Sequence, residues 1–320
     1  MTSTKSTPVI LNMDVEPDER VVKTVTDTWP GFVAAADYLT KARPRLEDAT
    51  GRPVHFNWLL RMDPQIEMAF GASNWCVSAH RPIFDRLIEA GDCFGLHVHT
   101  WRKAKRFFRS TWQAEYEDVA WIRHCIEMAH ETFTKEFGRA PSVCSMGDNF
   151  MRTEIMETLE QLGLRIDVTM ASGVNFDAKL VRREITSGRL PDYSNTPSKP
   201  FKPSRAKVTE PGGDAFDVWE APVSCGVVGK KRDGSDHVTK LLMGTHPDRI
   251  KAIIDQNLDM ESPYLVADSR SDVRTHPKTK ERFDWCIAHF IEIAQARNLE
   301  MVTYDAFADQ LDAGQLQTAG

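Results

Sequence analysis

The 320-residue sequence has no run approaching 18 consecutive apolar residues, which excludes a membrane-spanning helix. Charge of one sign is also missing. The 40 lysines and arginines stand against 46 aspartates and glutamates for a formal net charge of -6, and the basic residues are spread out, so nothing points to nucleic acid. The six cysteines, Cys76, Cys93, Cys125, Cys144, Cys225 and Cys286, form no Cys-x-x-Cys pair and no tight disulfide spacing. They are expected as small buried thiols of a reducing compartment. Neither Gly-x-Gly-x-x-Gly nor Gly-x-x-x-x-Gly-Lys follows an apolar run, which removes the dinucleotide and P-loop signatures. A Gly-x-Ser-x-Gly elbow is absent too, so a serine nucleophile has no seat. The start, Met1 to Pro8, is polar and lacks the apolar segment of a signal peptide; the expected location is the cytoplasm.

What is present concentrates at the ends of apolar runs. Cys93-Phe-Gly-Leu-His97-Val-His99-Thr-Trp101 closes on two histidines, and side chains two apart on an extended strand point to one face. Val9-Ile-Leu-Asn-Met-Asp14-Val-Glu16 repeats the pattern with carboxylates. Taken singly, His-x-His is ordinary packing and Asp-x-Glu before Pro17 is an ordinary helix cap. Together, two imidazoles and two carboxylates at strand ends suit one divalent ion with a position left open for water. The basic cluster Arg102, Lys103, Lys105, Arg106 and Arg109 follows directly. It reads first as a solvated loop or helix start, with attraction of an anionic substrate as the functional alternative.

The rest of the chain alternates strands and helices. Apolar residues at helical spacing predict helices over Trp29 to Ala42, Arg81 to Ala90, Trp112 to Phe137, Thr153 to Leu162, Asp248 to Leu258 and Pro277 to Arg297. Strands are expected at Val54 to Leu60, Ser142 to Met146, Ile166 to Met170, Phe216 to Val223, Tyr264 to Ala267 and Glu300 to Thr303. Prolines at 191, 197, 200, 203 and 211 interrupt this rhythm, so about 175–213 is expected as an irregular insertion, and the polar tail beyond Leu311 as frayed. With about seven strands and intervening helices, the expectation is an α/β fold, a single-domain distorted (β/α)7 barrel over 1–320. A doubly wound open sheet is the rival. The barrel is preferred because Asp14, Glu16, Arg61, Asp63, His97, His99 and Asp148 all follow strand ends, where barrel active sites collect.

Several of these segments resemble the polysaccharide deacetylase family, the NodB-like carbohydrate esterases. Asp14-Val-Glu16 is similar to a variant of the family's first motif, in which the first acid is the catalytic base and the second holds the metal. Phe94 to Trp101 resembles the second motif, whose leading histidine falls on His97. The histidine expected four residues later is replaced by Trp101, so the resemblance carries over His97 alone as a ligand, and His99 stands in on geometry. Pro141 to Gly147 resembles the third motif with Ser145 where an arginine is usual, and Tyr264 to Arg270 resembles the strand of the acid histidine but contains none. The resemblance spans Asp14 to Thr303 and implies the family's (β/α)7 barrel.

It also implies a metal-dependent hydrolase that removes an N-acyl group from a sugar or polysaccharide. Glu16, His97 and His99 would hold a divalent ion, with zinc expected, and Asp14 would take a proton from water. Asp148, Asp268 and His246 are open alternatives for the acid. Arg61, Asp63, Trp101 and Asp148 are expected substrate contacts, the tryptophan by stacking on a sugar ring. A second hypothesis is a barrel that has lost hydrolysis and binds a glycan or assists its assembly, favoured by the altered motif positions. A third, glycoside hydrolysis by Asp14 with Glu16 or Glu220, is disfavoured by the adjacent imidazoles.

Overall fold

Strand β1, Thr7–Val15, is buried at every position, which happens only where a sheet is covered on both faces. Its alternation shows how. Val9, Leu11, Met13 and Val15 face a large apolar layer shared with the surrounding helices, whereas Ile10 belongs to a second, smaller layer. Asn12 and Asp14 continue the face of Ile10 by the two-residue period of a strand. The computed structural model of the protein describes residues 6–19, 22, 28–106, 109–176, 188–261 and 263–319. Part of the expected insertion, 177–187, lies outside them.

From β1 the chain passes through α1 (Pro30–Thr50), β2 (Asn57–Arg61), the short helices α2 (Pro64–Phe70) and α3 (Trp75–Ala79), α4 (Arg81–Glu89) and β3 (Cys93–Val98). An antiparallel hairpin, β4 (Trp101–Arg106) and β5 (Arg109–Ala114), precedes α5 (Val119–Phe137), β6 (Val143–Met146), α6 (Thr153–Gln161), β7 (Ile166–Asp167) and β8 (Trp219–Glu220). A second hairpin, β9 (Cys225–Lys230) with β10 (Asp236–Lys240), leads to α7 (Pro247–Leu258), β11 (Leu265–Arg270), α8 (Pro277–Ile293), β12 (Leu299–Met301) and α9 (Tyr304–Asp312). Helix α1 shows how sequence sets such limits: Pro30 opens it, and Gly51 closes it at φ 66, its N–H bonded to the Glu47 carbonyl at 2.8 Å.

The main sheet has the order β11-β1-β2-β3-β6-β7-β8, with β12 also on β1, and every pairing in it is parallel. It curls into a distorted (β/α) barrel. Its two edges are joined through irregular chain: Leu241 N–H donates to the Ser224 carbonyl at 2.7 Å, Ser224 N–H to Val266 at 3.2 Å and Asp268 N–H to Leu241 at 3.0 Å. Inside, Ile10, Leu59, Val143, Ile166 and Val266 form the apolar layer, and α9 covers it from one end with Tyr304, Phe307 and Leu311. There is no room to spare. A β-carbon on Gly95 would meet Val143 Cγ1 at 2.2 Å and its carbonyl oxygen at 2.7 Å.

Two expectations are corrected. The helix predicted from Trp112 begins only at Val119, because residues up to Ala114 pair with β4 and the Asp118 carboxylate caps the helix by accepting from Trp121 N–H at 3.1 Å. The strands expected at Ile166 to Met170 and Phe216 to Val223 reduce to two residues each. Side chains take over part of the ladder there: Asp167 accepts from Thr169 N–H at 3.0 Å and Glu220 from Met170 N–H at 3.0 Å. All six cysteines are free.

Asp167 and Glu220 are register partners on β7 and β8 and fully buried. Burial raises both carboxyl groups, Asp167 to about 6, and Asp167 adds to the rise at Glu220. A carboxyl raised on folding leaves stability intact below its unfolded value and erodes it as pH climbs through the folded one. Glu220→Gln keeps the shape and the Met170 contact without the charge. The variant is expected to gain more stability over the parent at pH 8 than at pH 5, read from urea unfolding at the two values; an equal difference at both would refute the pairing.

Candidate metal centre

The inward faces of the strands turn from apolar to polar toward their C-terminal ends. Along β1, Ile10 gives way to Asn12, Asp14 and then Glu16; along β3, Cys93 and Gly95 give way to His97 and His99; along β11, Val266 gives way to Asp268 and Arg270. Register brings them level, with Asn12 opposite Asp268, Asp14 opposite Arg270 and Arg61 opposite His97. Glu16, His97 and His99 are buried and each offers an atom within 4.8 Å of the other two. The imidazole Nε2 atoms face each other at 3.1 Å. Two nitrogens bound tetrahedrally to one ion at ~2.05 Å would lie ~3.3 Å apart, so this edge already has the required length. Glu16 Oε2 is 3.6 Å from His99 Nε2.

The outer ring atoms face acidic side chains. His97 Nδ1 is 3.6 Å from Asp14 Oδ1, and His99 Nδ1 is 3.5 Å from Asp148 Oδ2. Neither Nδ1 has a hydrogen-bond partner, but its place beside an acid favours a proton there, which leaves Nε2 for a cation. Asp148 is itself fixed, accepting from Trp101 Nε1 at 3.1 Å and the Tyr116 hydroxyl at 3.0 Å. It adopts φ 59 in the 3-10 turn Gly147–Asn149, a backbone region in which aspartate is tolerated better than most residues. The main chain of His99 is held by its N–H, which donates to Asp63 Oδ2 at 3.2 Å.

Electrostatics fix the charges. Burial alone would raise Glu16, but Arg270, His97, His99 and Arg61 outweigh it and bring the carboxyl down to about 2. Arg270 Nη1 lies 2.7 Å from Oε1, while Arg61 Nη1 lies 3.4 Å from Oε2. Glu16 thus has one oxygen committed to Arg270 and the other turned to the histidines, which suits a monodentate ligand. Burial and the neighbouring His99 push His97 down to about 3, so its ring is neutral. An ionised carboxylate with a neutral imidazole is the protonation state that metal binding requires. Asp14 moves the other way: burial, then Asp268 and Glu16, raise it well above the usual carboxyl range.

Asp14, Glu16, His97, His99 and Asp148 line a cavity of about 550 Å³, together with Asp268 and Arg270. The other expected substrate contacts do not. Arg61, Asp63 and Trp101 are 3%, 0% and 1% exposed, and their polar groups are spent on the site itself. Arg61 pairs with Asp63 and Glu16 and donates to Gln65 Oε1 at 2.6 Å; Asp63 also caps α2 through Gln65 N–H. They brace the site and do not line the cavity. His246, an open alternative for the acid, caps α7 on the exposed surface and does not line the cavity. Lys240 and Arg270 were not foreseen. Continued two-residue alternation along β11 would have found Arg270, whereas Lys240 comes from a hairpin whose sequence carries no sign of its destination.

Gly147 touches this arrangement most sharply, since a β-carbon there would meet three atoms of the His99 ring at 2.3 Å. Gly147→Ala is therefore expected to push the imidazole out of the Glu16–His97 group; if that group holds a divalent ion, affinity for it should fall by at least about tenfold, within the 10–100-fold range for lost support of a ligand. Calorimetric titration of the purified variant checks it, and unchanged affinity with an unchanged fold would count against the site.

No protein-family model matches the chain, and no curated protein does. Solved structures do match. A Mycobacterium smegmatis protein described as a polysaccharide deacetylase superposes with TM-score 0.53 at 13% identity, covering 100% of this chain and 95% of its own. A Parabacteroides distasonis protein described as a glycoside hydrolase/deacetylase gives TM-score 0.56 at 14% identity, over 98% and 72%. The 4-alpha-glucanotransferase of Thermococcus litoralis gives 0.51 at 12% identity, over 96% of this chain but 41% of that one. The chain shares with these proteins the fold of a distorted (β/α) barrel.

Proposed function

We propose that the protein is a metal-dependent hydrolase that removes an N-acyl group, acetyl in the simplest case, from a sugar or polysaccharide. The observation that carries this reading is the buried Glu16–His97–His99 group beside Asp14 at the wall of an open cavity. The described fold, shared with proteins named for deacetylation of polysaccharides, supports it. A divalent ion held there, for which two imidazoles and a carboxylate suit zinc, would polarise an acyl carbonyl and acidify a water molecule. The chain's own groups do the rest. Glu16, His97 and His99 hold the ion, with Arg270 and Arg61 keeping Glu16 ionised and aimed. Asp14, with its raised pKa, is a strong enough base to take the water's proton as oxygen attacks the acyl carbon. Asn12 fixes that carboxylate by donating from Nδ2 to Asp14 Oδ1 at 3.0 Å. A second reading, a barrel that binds a glycan without hydrolysing it, draws on Arg270, whose guanidinium occupies one Glu16 oxygen.

Metal analysis of the purified protein and acetate release from N-acetylated sugars separate the two: no bound metal and no release from any glycan would eliminate the hydrolase. His97→Ala is expected to abolish metal binding. Asp14→Asn should keep the metal and lose about 10²- to 10⁴-fold in turnover, and the reverse pattern would refute the roles. Because Asp14 is raised, kcat/KM should fall as pH drops through a value above the ordinary carboxyl range, and a rate flat down to pH 4 would exclude Asp14 as the base.

A further inference from the structure

Lys240 ends the hairpin strand β10 and turns its side chain into the barrel mouth, 15% exposed, with Nζ 3.1 Å from Asp268 Oδ2. Asp268 in turn accepts from Asn12 Nδ2 at 3.0 Å, and the same nitrogen holds Asp14. Beneath the 550 Å³ cavity lies an inner chamber of about 40 Å³. Six residues line both: Asp14, His97, Asp148, Asn149, Lys240 and Asp268.

Amide hydrolysis needs a proton for the departing nitrogen, since an amine anion does not leave. Among the six, Asp148 and Asp268 already serve as acceptors, from Trp101 and Tyr116 and from Asn12 and Lys240. The Nε2 of His97 faces His99 within the ligand group, and the Asn149 amide does not release a proton. His276 lines the outer cavity but not the inner chamber, and its Nδ1 accepts from Lys278 N–H at 3.3 Å. Lys240 carries a proton, stands at the junction of the two cavities and is held on the same hydrogen-bonded chain as the base.

We propose that Lys240 is the acid of the reaction, giving its proton to the leaving amine; the inference rests on the hydrolase reading above. As the C–N bond breaks, its electron pair passes to nitrogen, and a new N–H bond forms with a proton from Nζ. The acyl fragment departs as a carboxylic acid. Lys240, now a neutral amine, recovers the proton that Asp14 took from water, which restores both groups.

The test compares leaving groups. Wild type, Lys240→Met and Lys240→Arg are assayed on N-acetylglucosamine oligomers, whose amine needs a proton, and on 4-nitrophenyl acetate, whose phenolate does not. Zinc affinity is measured by calorimetry and folding by thermal midpoint. Both variants should bind zinc as the parent does, while the ratio of amide to ester turnover falls by about 100-fold, the lower range for a lost acid. If Lys240→Arg preserves the ratio, only the positive charge matters and the proposal is overturned. It is overturned equally if both variants preserve it, which would mean that Asp14 returns its own proton, or if both lose zinc and both activities together, which would make Lys240 a support of the site. A wild type inactive on both substrates would remove the hydrolase reading itself and this role with it.

Discussion

Strand register is the constraint from which the rim of this barrel follows. Parallel neighbours in register set Asn12 beside Asp268, Asp14 beside Arg270, and Arg61 beside His97. A slip of one residue on any strand would turn its polar set outward into the helical layer and its apolar set into the mouth. The interior layer of Ile10, Leu59, Val143 and Val266 prevents that slip, because the alternative would bury carboxylates among helices at several kcal/mol each. The apolar floor and the polar rim are thus one device, with hydrophobic burial below holding the geometry of the charges above.

At the rim, the cations are each set against carboxylates. Arg61 stands between Asp63 and Glu16, Arg270 between Glu16 and Asp272, and Lys240 against Asp268. Removing one partner of such a buried pair leaves the other uncompensated, which makes the network stiff. Asp14, where burial prevails, contrasts with Glu16. It is held by Asn12, a neutral donor, and faces Asp268 and Glu16, so its proton affinity is raised where its neighbour's is lowered. Two acids only two residues apart are driven in opposite directions, because Arg270 and Arg61 help to outweigh burial at Glu16 whereas Lys240 does not outweigh it at Asp14.

Much of this was legible in the sequence. Alternation along Val9 to Glu16 and Cys93 to His99 already placed carboxylates and imidazoles on one face, and the order of strands and helices gave the barrel. Less legible was direction of use. Arg61 and Asp63 follow a strand end just as Asp14 and Glu16 do, and periodicity alone does not distinguish a side chain that faces the cavity from one that braces it. Trp101 poses the same ambiguity, and its indole N–H is turned to Asp148. The hairpins β4–β5 and β9–β10 escaped notice because antiparallel ribbons of charged residues lack an apolar period. Lys240 arrives through one of them, from a segment remote in sequence from every strand of the rim.

The helix α9 underlies a different consequence. Its Tyr304, Phe307 and Leu311 fill the floor of the barrel, which makes the mouth a blind alley among the described residues: arrivals and departures there share one doorway. Under the proposed hydrolysis, a fragment produced at depth would have to wait for, or squeeze past, whatever occupies the entrance, so exit would follow the reverse order of entry. Traffic of that kind favours a guest that dips a single protruding group inward while its bulk stays outside.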